Sequence, residues 1–188
     1  MLVGCGKMGS ALVRGWLRED WDPASITIIE PHHQSIAPVV AMGIQAFAAD
    51  QDLPSEFKPD LILFAVKPQL MDDVVPRYAR FKKSACYMSI AAGRTLGFFK
   101  KCLGEEAAIV RVMPNTPAAI GRGISGGVAT DTVSREQLDL AAYLMQSTGE
   151  FHWLKSESQI DAVTAVSGSG PAYVFFLAEC LTEAAKSL

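Results

Sequence analysis

The sequence predicts an α/β fold in which a mostly parallel sheet carries helices on both faces. Strand-like and helix-like segments alternate along most of the chain, which is typical of βαβ units. Several strand-like segments are continuous runs of Val, Ile, Leu and Phe, as expected for strands that are covered on both faces. After Leu154 no further strand-like segment follows, so a helical segment is expected at the C-terminal end.

Eight strands and five helices are expected before that point. The strands are expected at Met1–Val3, Ile26–Glu30, Ile44–Phe47, Leu61–Val66, Cys86–Ile90, Ala108–Met113, Ser125–Thr130 and Phe151–Leu154. The helices are expected at Met8–Arg18, Ser35–Ala41, Gln69–Phe81, Leu96–Cys102 and Arg135–Met145. From Ser156 onward the pattern indicates a helix, a hinge at Ser167–Pro171 ("SGSGP") and a second helix. We therefore expect one domain at residues 1–154 and a second, helical part at residues 155–188.

Composition excludes several classes of function. The 188 residues carry a net charge of -3 and are 49% hydrophobic, which predicts a sizeable soluble core and no nucleic-acid surface. We expect no membrane span, because no apolar run reaches about 18 to 20 residues, and no signal peptide, because "MLVGCG" has no charged start. The four cysteines lack metal-ligand spacing, so we expect no metal site and reduced thiols in a cytoplasmic protein.

The stretch "VGCGKMGSAL" contains Gly4, Gly6 and Gly9 in the G-x-G-x-x-G pattern, between the first strand and the first helix. In this pattern the first glycine permits a tight turn, the second lets the backbone approach a pyrophosphate, and the third lets the helix pack on the strand. The N–H groups at the helix start would then hold the phosphates. A glycine turn alone is a weak signal, but this context predicts a Rossmann-type dinucleotide site.

The second strand ends at Glu30, about 20 residues beyond the glycines, where an acid can bind the adenosine ribose. An acid at this position favours NADH over NADPH, because it repels a 2′-phosphate. His32 and His33 follow directly and could pair with such a phosphate if protonated. The sequence therefore leaves open whether the cofactor is NADPH or NADH.

Three loops at strand ends have unusual residues. "FAVKPQ" ends a buried strand in Lys67 and Pro68, "SIAAG" ends another in very small residues, and "RVMPNTPA" holds Asn115 and Thr116 between two prolines. Because ligands bind at the carboxyl ends of parallel strands, we expect these loops to lie around the site. No nucleophile, carboxylate pair or Ser/His/Asp arrangement is evident, which is compatible with hydride transfer from a nicotinamide.

These motifs, together with "DAVTAVSGSGPAYVFFLAE", resemble the pyrroline-5-carboxylate reductase family over essentially the whole chain and in matching order. The resemblance implies a Rossmann domain followed by a helical dimerisation domain. It also implies that 1-pyrroline-5-carboxylate is reduced to L-proline with NADPH or NADH, the last step of proline synthesis. A homo-oligomer joined through the C-terminal helices is implied as well.

The resemblance also implies roles for individual residues. The cofactor would be bound by Gly4, Gly6, Lys7, Met8, Gly9, Glu30, Ala65, Val66, Lys67, Pro68, Ala92, Gly93 and Asn115. Asn115 would orient the substrate or the nicotinamide. The substrate would lie beside Ser167, Gly168, Ser169, Gly170 and Pro171, where N–H groups at a helix start suit a carboxylate.

Two other functions remain open at this stage. The helical part lacks the "TSPGGTT"-like segment that members of the family usually contain, so the chain could be a truncated, non-catalytic dinucleotide-binding module. A 3-hydroxyacid dehydrogenase is less compatible, because its helical general acid/base would have to be Lys186. The final helix has one polar stripe and a broad apolar surface, which must pack on something.

Overall fold

The computed structural model describes residues 1–187, apart from the side chain of His33. Its strands are β1 (Leu2–Val3), β2 (Thr27–Ile29), β3 (Gln45–Phe47), β4 (Leu61–Phe64), β5 (Cys86–Ser89), β6 (Ile109–Met113), β7 (Gly123–Ala129) and β8 (Gly149–Trp153). Its helices are α1 (Lys7–Arg18), α2 (His33–Val40), α3 (Met71–Val74), α4 (Leu96–Leu103), α5 (Arg135–Gln146), α6 (Gln159–Val163) and α7 (Gly170–Lys186).

The strands form one sheet in the order β3-β2-β1-β4-β5-β6-β7-β8. Each expected strand is present, with bounds within two residues of those expected. Neighbouring strands are parallel except β6 and β7, which are antiparallel. The connection between β6 and β7 holds only a short 3₁₀ turn, Thr116–Ile120, whereas a parallel pair needs a longer crossover. The expected mostly parallel sheet is therefore confirmed.

The two faces of the sheet carry separate apolar cores, because successive side chains of a strand point to opposite faces. Leu2, Leu63 and Met88 pack with α1, α2 and α5 on one face. Phe64 and Tyr87 pack with α3 and α4 on the other. The expected helices on both faces are thus confirmed, and both cores hold the strand ends in fixed positions.

The expected helix Gln69–Phe81 is only partly α-helical. Its α-helical turn, α3, lies between two 3₁₀ segments, Pro68–Leu70 and Val75–Phe81. Pro76 contributes to the change, because proline lacks the N–H group that an α-helical hydrogen bond needs. Apolar spacing alone did not show this.

The expected hinge at Ser167–Pro171 is wrong. Thr164–Gly168 forms a π-helical turn and Ser169 keeps helical dihedral angles, so α6 and α7 are parts of one 28-residue helix, Gln159–Lys186. Pro171 does lie in the first turn of α7, as expected. By length and composition this helix passes the test for a membrane span, with a mean hydropathy of 1.2 over an 18-residue window, but a single such helix is weak evidence. The expectation that no segment is long and apolar enough is not met, whereas the expectation of no membrane span stays a prediction.

A partly buried ion pair joins the start of this long helix to the sheet. The Nη1 atom of Arg111 on β6 lies 2.7 Å from Oε1 of Glu157, which precedes α6. The same oxygen accepts a hydrogen bond of 2.7 Å from the N–H of Leu96, at the start of α4. The Arg111 side chain is 6% exposed, so its charge depends on Glu157 for compensation.

We predict that Glu157→Ala lowers the free energy of unfolding by about 2 to 3 kcal/mol, because it leaves the buried Arg111 guanidinium unpaired. Chemical denaturation monitored by circular dichroism measures the change. Glu106→Ala removes an exposed glutamate and is the matched control, with an expected change below about 0.5 kcal/mol. Equal stability of the two variants would contradict the anchoring role of this pair.

Candidate functional site

The main cavity lies at the carboxyl ends of the central strands. It has a volume of about 480 Å³ and lies where the strand order reverses, between β1 and β4. Open α/β sheets bind ligands at such a point. Six of the residues expected in the site line it: Gly4, Gly6, Glu30, Ala65, Val66 and Lys67.

In the glycine turn between β1 and α1, Gly4 and Gly9 are tightly packed, whereas Gly6 faces open space. Gly4 has a φ of +92°, and a Cβ atom there would lie 2.8 Å from Cγ1 of Val66. A Cβ atom on Gly9 would lie 2.5 Å from the carbonyl oxygen of Gly4. A Cβ atom on Gly6, in contrast, would have no atom within 4 Å and would enter the open space of the cavity. This arrangement fits the three roles that the pattern has in dinucleotide sites.

The N-terminus of α1 is available for an anion. Gly6 is its N-cap, no side chain caps it, and its first turn holds no acidic residue. Lys7 is exposed and Met8 is half-buried at this helix start. Unpaired N–H groups and the helix dipole favour a phosphate group here. The residues present therefore fit the pyrophosphate of a dinucleotide.

Glu30 is bound to the glycine turn itself. Its Oε2 atom accepts a hydrogen bond of 2.8 Å from the N–H of Cys5, and its Oε1 atom accepts one of 3.0 Å from the N–H of His32. The Nδ1 atom of His32 lies 2.8 Å from the same Oε1 atom. Burial raises the pKa of Glu30, but these hydrogen bonds lower it, and its net pKa lies below the ordinary value. The carboxylate is therefore ionised at neutral pH.

Cys5 lies inside the turn without acting as a nucleophile. Its side chain is buried, and its thiol lies 3.6 Å from the hydroxyl oxygen of Ser10. Burial raises the pKa of the Cys5 thiol, so the thiol stays protonated at neutral pH. Cys5 serves the site through its backbone N–H group, which holds Glu30.

Arg94 joins two of the expected loops, and the sequence reasoning missed it. Its Nε and Nη2 atoms donate hydrogen bonds of 3.0 and 2.7 Å to the carbonyl oxygen of Pro68. Its guanidinium also pairs with Asp72 and lies 4.6 Å from the centre of the Phe98 ring. Arg94 follows Gly93 directly in the chain, but no signal in the sequence shows that it reaches the neighbouring loop.

Asn115 is buried beside β7. Its Oδ1 atom accepts a hydrogen bond of 3.0 Å from the N–H of Ile124, which fixes the orientation of the amide. No buried side-chain nitrogen or oxygen among the described residues lacks a partner, so Nδ2, which donates no hydrogen bond within the protein, reaches solvent. One end of Asn115 thus supports the fold, and the other is free for a ligand.

The segment Ser167–Pro171 lies near the loop after β6. A Cβ atom on Gly168 would lie 2.8 Å from Cε of Met113, whereas the space around Gly170 is open. The N–H of Ser169 donates to the carbonyl oxygen of Thr164 at 2.7 Å. That group is therefore unavailable to a carboxylate, contrary to the expectation that the helix start would present free N–H groups. Neither this segment nor Asn115 lines the main cavity.

Sequence reasoning also missed part of the cavity wall. Asp50 follows β3, and Arg77 and Tyr78 come from the 3₁₀ segment after α3. Nη1 of Arg77 lies 3.9 Å from a carboxylate oxygen of Asp50. These residues belong to no recognisable sequence motif, so only the folded structure shows that they line the cavity.

Two protein families match parts of the chain. The family described as NADP oxidoreductase coenzyme F420-dependent matches residues 1–93, and the family described as pyrroline-5-carboxylate reductase dimerisation matches residues 157–188. The chain is 36% identical to the pyrroline-5-carboxylate reductase of Pseudomonas aeruginosa, covering 99% of this chain and 68% of that protein. It is 33% identical to that of Haemophilus influenzae, with 97% and 67% covered. The chain thus spans about two thirds of each relative.

Solved structures agree with this result. A pyrroline-5-carboxylate reductase from Coxiella burnetii has a TM-score of 0.88 and 32% identity, covering 100% of this chain and 70% of that one. The Plasmodium falciparum pyrroline carboxylate reductase with NADP bound has a TM-score of 0.83 and 28% identity, with 99% and 68% covered. A prephenate dehydrogenase from A. aeolicus, at a TM-score of 0.72 and 16% identity, shares the fold.

We predict that Gly6→Glu abolishes cofactor binding while the protein stays folded. The new side chain would enter the open space at the start of α1 and place a negative charge where the phosphates would bind. Fluorescence titration with NADH and NADPH measures binding, and thermal melting checks the fold. Gly97→Glu, on exposed α4 surface, is the matched control and should bind normally. Unchanged affinity in Gly6→Glu would refute this position of the site.

Proposed function

The chain belongs to the pyrroline-5-carboxylate reductase family, and we propose that it catalyses the reaction of that family, the reduction of 1-pyrroline-5-carboxylate to L-proline with NADPH or NADH. The observation that carries the proposal is the cavity at the strand ends, where the open helix start at Gly6 and the edge formed by Ala65, Val66 and Lys67 face one space. Such a space suits an extended dinucleotide.

In this proposal different residues along this edge bind different parts of the cofactor. Gly4, Gly6, Lys7, Met8 and Gly9 hold the pyrophosphate, since they form the turn and the start of α1. Glu30 binds the adenosine ribose. The nicotinamide end lies against Ala65, Val66, Lys67, Pro68, Ala92 and Gly93, and Arg94 holds the two loops together through Pro68. When bound, the reduced nicotinamide supplies the hydride.

The reaction needs little acid–base catalysis from the protein. The carbon of a protonated cyclic imine is already electrophilic, so the main task is to place it against the nicotinamide. Asn115 is suited to orient either group, because Ile124 fixes its oxygen and leaves its nitrogen for a ligand. Lys186, the alternative general acid/base, lies 2.9 Å from a Glu183 carboxylate oxygen on exposed helix surface, which does not favour a 3-hydroxyacid dehydrogenase.

The substrate carboxylate is proposed to lie beside Ser167, Gly168, Ser169, Gly170 and Pro171. The open space around Gly170 supports this placement. The hydroxyl of Ser167 donates to the carbonyl oxygen of Val163 at 3.0 Å, so its orientation is already set. In this proposal residues 1–154 supply the cofactor site and residues 155–188 supply the substrate side.

We further propose a homo-oligomer that forms through α7 in a cytoplasmic protein. The large apolar side chains of α7 are 60% to 70% exposed: Tyr173, Val174, Phe175, Phe176, Leu177 and Leu181. The match of residues 157–188 to a dimerisation family favours a second copy of the chain as the cover for this surface. The buried thiols of Cys5 and Cys86 support a reducing compartment.

We predict that the protein oxidises NADH or NADPH when pyrroline-5-carboxylate is added, measured by the absorbance of the reduced nicotinamide. Gly6→Glu should show no turnover, and Gly97→Glu should retain it. A 3-hydroxyacid should give no reaction in the reverse direction with the oxidised cofactor. Cofactor binding without any turnover would contradict the proposed activity and would favour a non-catalytic dinucleotide-binding module.

We also predict that Phe175→Glu shifts the protein towards monomer, because a charge in the centre of the apolar surface opposes its burial. Analytical ultracentrifugation over a range of concentrations measures this shift. Thr182→Glu adds the same charge on the polar stripe of the same helix and is the matched control. A wild-type protein that stays monomeric at all concentrations would refute association through α7.

A further inference from the structure

The surroundings of Glu30 bear on whether the protein binds NADH or NADPH, a choice that the proposed function leaves open. Glu30 closes the adenosine end of the cavity, where Pro31 and His32 also line the wall. Three hydrogen bonds hold its carboxylate in place, from the N–H groups of Cys5 and His32 and from the His32 ring. Its side chain is only 10% exposed, so it cannot swing away from a ligand without breaking these bonds.

The ionised state of Glu30 matters for a 2′-phosphate. Hydrogen bonds from backbone N–H groups stabilise the carboxylate, and its pKa is lowered, so the negative charge persists at neutral pH. A ribose hydroxyl can donate a hydrogen bond to this carboxylate, whereas a phosphate in the same place would meet a like charge in a partly buried site. Such a contact is unfavourable unless a cation offsets it.

Three of the described side chains that line the cavity are cationic: His32, Lys67 and Arg77. The side chain of His33, which was also expected to be able to pair with a 2′-phosphate, lies outside the described residues. The Nδ1 atom of His32 lies 2.8 Å from a carboxylate oxygen of Glu30, so this side of the ring is already paired with the glutamate. Arg77 donates to the carbonyl oxygen of Asp73 and lies 3.9 Å from Asp50. Lys67 follows β4, on the side of the glycine turn away from Glu30.

We propose that Glu30, fixed between the glycine turn and His32, makes this protein prefer NADH over NADPH. The inference rests on the proposed function, because it assumes that the cavity binds a reduced nicotinamide cofactor. It goes beyond that function by assigning the choice of cofactor to one side chain. The Plasmodium falciparum relative has NADP bound in its structure, so the preference would be a property of this chain.

Binding measured separately for each cofactor tests the proposal. Fluorescence titration of the wild-type protein should give a dissociation constant for NADH lower by about tenfold or more than that for NADPH. Competition with adenosine 5′-diphosphate and with its 2′-phosphorylated form should show the same order, without any contribution from the nicotinamide. These measurements need no variant and no substrate turnover.

Glu30→Gln identifies the residue responsible. It removes the charge but keeps the shape of the side chain. The dissociation constant for NADPH divided by that for NADH should therefore fall by about tenfold. Glu106→Gln removes the same charge from exposed surface and should leave the ratio unchanged. Thermal melting checks that Glu30→Gln is folded. If it is not, the dissociation constants of NADH and NADPH for the wild-type protein still test the preference.

The outcomes distinguish this inference from the proposed function. Equal or tighter binding of NADPH by the wild-type protein would overturn the preference and leave the reductase activity standing. Tighter binding of NADH with an unchanged ratio in a folded Glu30→Gln variant would overturn the role of Glu30. Binding of neither cofactor would overturn the cofactor site of the proposed function and this inference with it.

Discussion

The close contact between the glycine turn and its neighbours is the constraint on which the site depends. Gly9 lies against the carbonyl of Gly4, and Gly4 lies against Val66 on the neighbouring strand end. A side chain at Gly9 would push α1 away from the turn, and one at Gly4 would push the turn away from the chain after β4, because the nearest contacts of a Cβ atom are below 3.0 Å. With both glycines in place, α1 begins directly at the edge of the cavity. The direction of its free N–H groups is therefore a consequence of backbone packing.

Glu30 places a negative charge next to the closely packed glycine turn. Burying a carboxylate is unfavourable unless it is hydrogen-bonded, and the N–H of Cys5 supplies such a bond from within the glycine turn. The same bond joins the end of β2 to the loop after β1, so the ends of neighbouring strands are fixed relative to each other. One residue thus helps to shape the turn and sets the charge at the adenosine end of the cavity.

The parts that the sequence predicted correctly are those that depend on local patterns. Continuous apolar runs marked several of the eight strands, and the three glycines marked the turn, since both depend on neighbours in the chain. The interactions that it missed join residues far apart in sequence. Arg94 reaches Pro68, and Arg111 reaches Glu157, 46 residues away. Neither arginine lies in a motif that specifies its partner, so only the folded chain shows these contacts.

The segment Ser167–Pro171 shows a different limit of sequence reasoning. Small residues before a proline usually indicate a break, because proline removes an N–H group and its ring meets the carbonyl four residues earlier. Here the chain widens into a π-helical turn at Thr164–Gly168, which accommodates the proline without leaving the helix. Gly168 lets this turn lie close to Met113, whose Cε atom would have to shift if a Cβ atom were present.

A continuous helix has a consequence that a flexible hinge would not have. The start of this helix is attached to the sheet, because Ile160 of α6 lies in the core and the Arg111–Glu157 pair precedes α6. None of the described α7 residues is buried within the chain, so the helix gains little from packing on its own subunit. Association through α7 would therefore stabilise the helix and the π turn before it, which lies close to Met113 at the end of β6.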